Sequence, residues 1–269
     1  MSIAERAPLV VVTFNVRMAP AADGPNRWEL RRDLLREVIV GLAPDILCLQ
    51  EPFADQIEWI AAALPGHHLI GVGREDGIRQ GEWSAIFVRS DRCDVLGHGN
   101  FWLSETPEIP GSRSWDAGRH TRLCTWVHLR YHKTGARFRV FNSHWDHEGP
   151  EARLQSARLI AHRVAGDTDG LPAILTGDFN CTPESAPIQF LLHAAIPSFS
   201  DAFAAIGDQR SSEGTFHDFT GRPDGPRIDY ILVTPGIEVA RCEIIRERRA
   251  SLYPSDHFPV RAELFVGFA

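Results

Sequence analysis

The 269-residue sequence predicts an α/β fold in which two packed sheets are flanked by helices. Strands and helices occur in two similar halves of the chain. Residues 68–103 form a β-rich region without a long helix, and the helices are too few to surround an eight-stranded barrel. No linker rich in Pro, Gly or Ser and no charge block or repeat divides the chain. We therefore expect one domain over residues 1–269.

The first half of the chain starts with alternating strands and helices. Apolar runs of strand length predict strands, and apolar residues at helical spacing predict helices. The predicted strands cover residues 9–14, 45–49, 68–72, 84–88, 94–98 and 101–103. The predicted helices cover residues 28–41 and 53–64, and residues 110–121 are expected to form a surface loop.

The second half repeats the same arrangement. Residues 123–131 and 137–144 are expected to form a hairpin, since both are strand-like and a short polar segment containing Gly joins them. A helix is predicted over 150–165, a buried strand follows from residue 171, and a helix over 183–194 has Pro183 near its first turn. The last predicted strands cover residues 228–233, 238–245 and 259–265.

Polar clusters follow the apolar runs at six places. The run that starts at Leu171 ends in Gly177, Asp178, Phe179 and Asn180, where a β-turn is the alternative interpretation because Gly, Asp and Asn are common turn residues. The other five clusters also consist of polar residues at or beside the end of an apolar run: Asn15, Gln50-Glu51, Asn142-Ser143-His144, Asp229 and Asp256-His257. One such strand end is ordinary, but six of them indicate a shared catalytic rim.

Composition restricts the environment in which the protein works. The chain is 43% hydrophobic and 23% charged, as in soluble globular proteins, and it has no apolar run of about 18 residues. Residues 1–8 lack the layout of a signal peptide. The five cysteines are scattered without zinc-site spacing, which predicts buried reduced thiols in a cytoplasmic protein. No membrane association and no obligate protein partner are implied.

The charge of the chain restricts its substrate. Its formal net charge is -7 and it contains one lysine, whereas proteins that grip long duplex DNA neutralise many phosphates with Lys and Arg. A small or short phosphate-bearing substrate therefore suits the chain better than a long polyanion.

The ordered polar clusters resemble those of the endonuclease/exonuclease/phosphatase superfamily, which has the deoxyribonuclease I-like fold. The matching motifs run through most of the chain: Thr13-Phe14-Asn15, Gln50-Glu51, Asn142-Ser143-His144, Gly177-Asp178-Phe179-Asn180, Arg227-Ile228-Asp229-Tyr230 and Ser255-Asp256-His257. The resemblance implies a four-layer α/β/β/α sandwich of two mixed sheets and divalent-metal-dependent cleavage of a phosphate ester. Thr215-Phe216-His217 and residues 101–107 resemble bacterial members related to deadenylases. Pro52-Phe53 replaces the Thr-Lys typical of abasic-site endonucleases, which argues against DNA repair.

Hydrolysis of a phosphodiester by water needs a metal ion, a base and donors for the developing charge. We expect Glu51, supported by Asn15, to bind the metal, with Asp256 as a second metal ligand or as a partner of the catalytic network. Oxygen ligands favour Mg²⁺, with Mn²⁺ as a possible substitute, and the lack of a thiolate or a multi-histidine cage argues against zinc.

The catalytic roles are assigned to five residues. Asp178 is the expected general base or water-orienting group, and Asn180 helps to hold the water or the phosphate. His257 is expected to donate to a phosphate oxygen while Asp229 fixes its tautomer and raises its pKa. His144 is expected to face the phosphate or the leaving oxygen.

Four further residues are expected to support substrate binding. Arg122 is a candidate phosphate contact, although a lone arginine is often only solvated. Trp145 is a candidate for stacking on a base or sugar, together with Trp102 and Trp115, and its alternative is a place in the core. His217 is the third candidate substrate contact. The resemblance makes Glu82 a candidate for orienting His144.

These residues together predict a divalent-metal-dependent phosphodiesterase. Its expected substrate is a small nucleotide-like ester or a short single-stranded nucleic acid. The alternatives are a phosphomonoesterase acting on a sugar or inositol phosphate, a catalytically silent binding module of the same fold, and an interaction scaffold. Retention of all the acids and histidines argues against the silent module.

Overall fold

The computed structural model describes residues 8–113, 115–166, 169–206 and 213–267. The strands within these ranges are β1 Leu9–Asn15, β2 Ile46–Gln50, β3 His67–Ile70, β4 Ser84–Arg89, β5 Cys93–Trp102, β6 Leu123–Tyr131, β7 Arg137–His144, β8 Ala173–Asp178, β9 Ser200–Asp201, β10 Asp229–Val233, β11 Ile237–Ile244 and β12 Val260–Val266. The α-helices are α1 Trp28–Leu42, α2 Ala54–Ala61, α3 Pro150–Ala165, α4 Ala186–His193 and α5 Ala202–Ala205.

The strands form two mixed sheets of six. Sheet one has the order β11-β12-β1-β2-β4-β3, and sheet two has the order β5-β6-β7-β8-β10-β9. Each sheet has one parallel pair near its centre, β1 with β2 and β7 with β8, and its other pairs are antiparallel. The two sheets therefore repeat one arrangement, as the two similar halves of the sequence predicted.

Helices cover the outer faces of both sheets. In β2, Ile46 and Cys48 face the core between the sheets, whereas Leu47 and Leu49 face the layer that contains α1 and α2. Burial on both faces explains why such strands are continuous apolar runs. The helices α3 and α4 cover sheet two in the same way. This arrangement confirms the predicted four-layer α/β/β/α sandwich.

Polar side chains also join the two sheets inside the sandwich. Nε2 of Gln50 donates to Oδ1 of Asn142 at 2.7 Å and to Oγ1 of Thr13 at 3.0 Å. Nδ2 of Asn142 donates to the carbonyls of Leu49 and Ala85, at 2.9 Å each. The two amide nitrogens are satisfied by these buried partners, although Oε1 of Gln50 has no partner among the described residues. The network therefore stabilises the packing beneath the polar rim rather than facing a substrate.

Several elements differ from the sequence-based expectation. The strands expected over 94–98 and 101–103 form one strand, β5, because β6 pairs with its whole length and a bulge near Val95 and Gly97 absorbs the irregular part. Two short elements, β9 and α5, were not expected, and α5 spans only four residues, too few to show a period.

No helix within the described ranges is long and apolar enough to cross a membrane. The five cysteines are buried and unpaired, as expected. The expectation of no signal peptide concerns residues 1–8, and all of these except residue 8 lie outside the described residues.

Candidate active site

The parallel pairs bring polar residues from both sheets to one edge of the sandwich. At the end of sheet one's pair, Asn15 lies opposite Gln50. At the end of sheet two's pair, His144 lies opposite Asp178, and Asp229 starts the neighbouring strand β10 at the same level. The carboxyl ends of parallel strands meet at one edge, so sequence positions more than 100 residues apart become neighbours.

Backbone packing explains the Gly-Asp-Phe-Asn sequence at the end of β8. A Cβ added to Gly177, which has φ +151°, would lie 1.9 Å from the carbonyl oxygen of Ser143 on β7. Only glycine fits this close approach. Asn180 then turns the chain at φ +48°, and its backbone N–H donates to Oδ1 of Asp178 at 3.0 Å. The segment is therefore a buried strand that ends in a turn, and both sequence interpretations describe part of it.

Asn15 connects the two predicted functional carboxylates. Its Nδ2 donates to Oε1 of Glu51 at 3.0 Å and to Oδ2 of Asp178 at 2.9 Å. Its Oδ1 accepts from the backbone N–H of Arg17 at 3.0 Å. Glu51 has a backbone φ of +71°, which has a steric cost for a residue with a side chain. The backbone N–H of Met18 donates to Oε2 of Glu51 at 3.0 Å and helps to hold this conformation. The amide of Asn15 therefore fixes the spacing between Glu51 and Asp178.

Asp178 lies between two histidines. Its Oδ2 is 3.6 Å from Nε2 of His144 and 3.7 Å from Nε2 of His257. Burial and the nearby charge of Asp229 raise the pKa of Asp178 above its usual value. A carboxylate whose basicity is raised in this way is suited to accept a proton from water.

His257 is held in its charged form. Its Nδ1 donates to Oδ2 of Asp229 at 2.9 Å. Although burial opposes the charge, Asp229 and Asp178 together raise the pKa of His257 to about 10. The imidazolium presents its Nε2–H on the side of Asp178, so it can donate to a phosphate oxygen there.

His144 is held in its neutral form. Nη1 of Arg122 donates to its Nδ1 at 2.9 Å. Burial and the positive charge of Arg122 lower the pKa of His144 to about 3. Glu82 accepts from Nη1 of Arg74 at 2.5 Å and from Nη1 of Arg122 at 3.3 Å, and it lies 3.6 Å from Nδ1 of His144. Glu82 is therefore connected to His144 mainly through Arg122, and Arg74 holds the Glu82 carboxylate from the other side.

These side chains surround a cavity of about 590 Å³. Most predicted site residues line it, and several other residues complete its wall. The lining residues are Arg17, Met18, Glu51, Glu82, His120, Arg122, His144, His147, Asp178, Asn180, Thr182, Phe216, Pro226, Ile228, Asp256 and His257. The cavity is therefore polar at its base and has a few apolar residues on one wall.

The donors at the base of the cavity fit a hard divalent cation. Oδ1 of Asp229 is buried without a hydrogen-bond partner among the described residues, and burial together with the nearby charge of Asp229 raises the pKa of Asp178. Burial also raises the pKa of Asp256, although Nε of Arg17 lies 3.6 Å from its Oδ2. A cation would relieve this crowding, and carboxylate oxygens are the ligands that Mg²⁺ and Mn²⁺ prefer.

The described residues contain one compact group of side chains with the geometry to hold a metal ion. Ligand atoms of Asp178, Asp229 and His257 lie within 4.8 Å of one another. This group differs from the predicted metal ligands, Glu51 and Asp256 with Asn15. Within this group Nδ1 of His257 already donates to Oδ2 of Asp229, and its Nε2 is the ring atom on the side of Asp178.

Some predicted substrate contacts are not in the cavity. Trp145 is fully buried and stacks on Phe179 with ring centroids 4.2 Å apart, so its position corrects the expectation that it stacks on a substrate. Trp102 is 4% exposed and donates to the carbonyl of Arg74, so it is part of the core as well. Trp115 is half-buried and does not line the cavity.

His217 is also displaced from the cavity. It is 4% exposed, stacks on Phe258 at a centroid distance of 3.9 Å, and accepts from the backbone N–H of Gly221 through Nδ1 at 3.2 Å. Its neighbour Phe216 lines the cavity instead, with its ring 5.0 Å from that of His257. This placement corrects the expectation of a direct substrate contact by His217.

Sequence reasoning missed several polar residues of the site, among them Arg17, Arg74 and His120. Arg17 lines the cavity two positions after Asn15, and its Nε lies 3.6 Å from Asp256. Arg74 donates to Glu82 from a loop, and His120 lines the cavity from another loop. Arg17 had a signal in its position beside a predicted motif. The two loop residues had none, because only the tertiary packing brings them to the rim.

The comparison with known families identifies one match. The profile described as "Endonuclease/Exonuclease/phosphatase family" matches residues 12–257. This range includes all the predicted catalytic and metal-binding residues.

The chain is also similar to solved and curated proteins. An endonuclease/exonuclease/phosphatase from Bacteroides vulgatus is 36% identical with a TM-score of 0.88, and the match covers 97% of this chain and 100% of that one. A mannosyl-6-phosphatase of Bacteroides thetaiotaomicron is 36% identical with a TM-score of 0.85, over 95% and 99% of the two chains. The 2',5'-phosphodiesterase 12 of Homo sapiens is 26% identical over 201 residues, which are 67% of this chain and 33% of that protein. The match thus spans about a third of the length of this curated relative.

Proposed function

Because the chain belongs to the Endonuclease/Exonuclease/phosphatase family, whose members are hydrolases of phosphoester bonds, we propose that it is a divalent-metal-dependent phosphatase acting on phosphate monoesters of small alcohols. The observation that carries the proposal is the bounded cavity of about 590 Å³, with Asp178, the imidazolium of His257 and the buried Arg122 in its wall. This cavity has the size of a small-molecule site.

The metal is assigned to Glu51, with Asp256 as a second ligand and Asn15 positioning Glu51. When bound, Mg²⁺ or Mn²⁺ would act as a Lewis acid that neutralises charge on the phosphate oxygens. The crowded carboxylates supply the hard oxygen donors that this assignment needs.

The residues of the chain divide the remaining tasks. Asp178 accepts a proton from the attacking water, and the amide of Asn15 keeps that carboxylate in place. His257 donates from Nε2 to a phosphate oxygen, and Asp229 keeps it charged and oriented. Neutral His144 lies in the wall that faces the phosphate, with its Nδ1 2.9 Å from Nη1 of Arg122 and its Nε2 3.1 Å from Nδ2 of Asn180. Asn180, which donates to the carbonyl of Trp145 at 3.0 Å, lines the same wall.

Two observations favour a monoester over a diester. A monoester carries more negative charge than a diester. Three cationic groups, Arg17, Arg122 and His257, line the cavity beside four carboxylates that a bound metal ion would partly neutralise. The mannosyl-6-phosphatase is similar over nearly the whole of both chains. This ordering reverses the sequence-based preference, in which the phosphodiester came first.

The second candidate is a phosphodiesterase that acts on a short nucleotide-like ester. The similarity to the human 2',5'-phosphodiesterase 12 favours it. Trp102 and Trp145 lie in the core and Trp115 does not line the cavity. The cavity wall therefore offers less aromatic surface for stacking on bases than the sequence analysis expected.

A substrate panel separates the two candidates. Hexose 6-phosphates, bis(4-nitrophenyl) phosphate and short single-stranded oligonucleotides are compared with Mg²⁺ and with Mn²⁺. The proposal expects the largest kcat/KM on hexose 6-phosphates. A larger kcat/KM on the diester or on the oligonucleotides would favour the second candidate, and no hydrolysis of any of them with either metal would reject both.

A further inference from the structure

We propose that His120 and His147 form a subsite that binds hydroxyl groups on the alcohol portion of the phosphate ester. The subsite would select sugar or polyol phosphates over esters of apolar alcohols. The inference rests on the proposed phosphatase function and adds to it the residues that recognise the leaving group.

Two arginines fix the tautomers of these histidines. Nη2 of Arg74 lies 3.2 Å from Nδ1 of His120, and Nη2 of Arg122 lies 3.2 Å from Nδ1 of His147. A guanidinium can only donate, so both Nδ1 atoms accept, and each neutral ring carries its proton on Nε2. Both arginines are buried and bonded to Glu82, which holds the assembly in place.

The two rings stand together in the wall of the cavity. Their centroids are 5.4 Å apart with an angle of 38° between the planes, and both line the cavity that contains Asp178 and His257. Burial and the charge of Arg74 keep the pKa of His120 below its usual value, which favours a neutral donor. The structure records no hydrogen bond to Nε2 of His120 within the described residues.

An acceptor stands beside these donors. Oε1 of Glu148, a side chain that is 56% exposed, lies 3.7 Å from Nε2 of His147. A hydroxyl group both donates and accepts, so neutral N–H donors next to a carboxylate suit hydroxyl groups. The same carboxylate would repel a second phosphate, which argues against a longer polyanionic substrate.

The ring contact also joins the loop of His120 to the segment of His147 that precedes α3, and a purely structural role is the competing explanation. The two roles differ in their dependence on the substrate. Loss of a structural anchor would change hydrolysis of all monoesters together, whereas loss of a hydroxyl-binding subsite would affect only substrates that carry hydroxyl groups.

The test compares mannose 6-phosphate with cyclohexylmethyl phosphate, which keeps a six-membered ring and an alkyl ester but lacks the ring hydroxyls. Each histidine is replaced in turn by Asn and by Gln. Asn keeps an amide near the position of Nδ1 and loses the outward donor, whereas Gln places an amide N–H near the position of Nε2. His68→Asn is the matched control, since His68 is exposed on β3 and does not line the cavity.

We expect His120→Asn and His147→Asn each to lower kcat/KM for mannose 6-phosphate by about three- to tenfold, mainly through KM, as expected for one lost hydrogen bond. The Gln variants should retain more of this activity, and kcat/KM for cyclohexylmethyl phosphate should stay the same. Equal losses on both substrates, or no loss on either, would overturn the subsite. Failure of the wild-type protein to hydrolyse either ester would instead reject the proposed phosphatase function.

Discussion

Nδ2 of Asn15 and Oδ2 of Asp178 are joined by a 2.9 Å hydrogen bond that connects the two sheets. Asn15 ends β1 in sheet one and Asp178 ends β8 in sheet two. The same amide also donates to Glu51. Alignment of the predicted metal ligand with the predicted base therefore depends on how the two halves of the sandwich pack.

We expect Asn15→Leu to lower kcat by about tenfold or more, because the variant keeps a similar volume but leaves both carboxylates without their shared donor. A double-mutant cycle with Asp178→Asn measures the coupling. The two losses should be clearly less than additive, as for residues that act as a unit. Fully additive effects would show that Asn15 does not act through Asp178.

Glu51→Gln is expected to raise the Mg²⁺ concentration needed for half-maximal activity and to lower the maximal rate, because an anionic ligand becomes a neutral one. Activity titrated against Mg²⁺ after chelation gives the measurement. Glu58→Gln on the exposed side of α2 is the control. An unchanged titration would remove Glu51 from the metal site, and full activity after exhaustive chelation would exclude a metal requirement.

Asp229→Asn should shift the pH dependence of activity. Asp229 and Asp178 raise the pKa of His257 to about 10, so the histidine keeps its proton throughout the neutral range. Without the Asp229 charge this pKa falls, and the alkaline decline of kcat/KM should begin at lower pH. Profiles between pH 6 and 10 test this shift, with Asp94→Asn on the surface as control. An alkaline limb that stays in place would show that Asp229 does not set the protonation of His257.

His217 is expected to lower stability in mild acid. Burial and the charge of His257 lower the pKa of His217 to about 4, whereas an unfolded histidine binds its proton near pH 6.5. Between these values the unfolded state binds more protons, so stability falls as the pH falls from about 6.5 to 4. The loss at pH 5 relative to pH 7 is on the order of 1 to 2 kcal/mol.

His217→Phe keeps a ring against Phe258 and removes the titration, although it loses the bond from Gly221. Urea unfolding at pH 7 and at pH 5 should show a smaller difference in the free energy of unfolding than in the wild-type protein. An exposed substitution, His68→Phe, should keep the wild-type difference. The idea fails if His217→Phe keeps that difference too.

The sequence was most informative where local and tertiary requirements agree. β2 and β8 read as buried strands because both of their faces pack against apolar layers. Asn15, Glu51, Asp178 and His257 were predicted as site residues because polar clusters recur at or beside the ends of six apolar runs. The sequence analysis divided β5 into two strands because the length of β5 is set by its pairing with β6 and not by its local sequence.

The remainder of the site depends on distances that sequence does not encode. Trp145 follows His144 directly, yet the strand geometry turns its ring into the core. Phe216 lines the cavity in place of His217 because neighbouring side chains point to different sides. His120 reaches the cavity wall, and Arg74 lies behind it, only because tertiary packing brings their loops together with Glu82 and Arg122.

The central claim is that water attacks phosphorus in a metal-dependent reaction that needs Asp178. Phosphorus NMR of mannose 6-phosphate hydrolysis in ¹⁸O-labelled water with Mg²⁺ tests it directly. We expect one ¹⁸O atom in each inorganic phosphate released, and a rate at least about a hundredfold lower in Asp178→Asn, the usual range for loss of a general base. Unlabelled phosphate, or a wild-type rate in Asp178→Asn, would contradict this account.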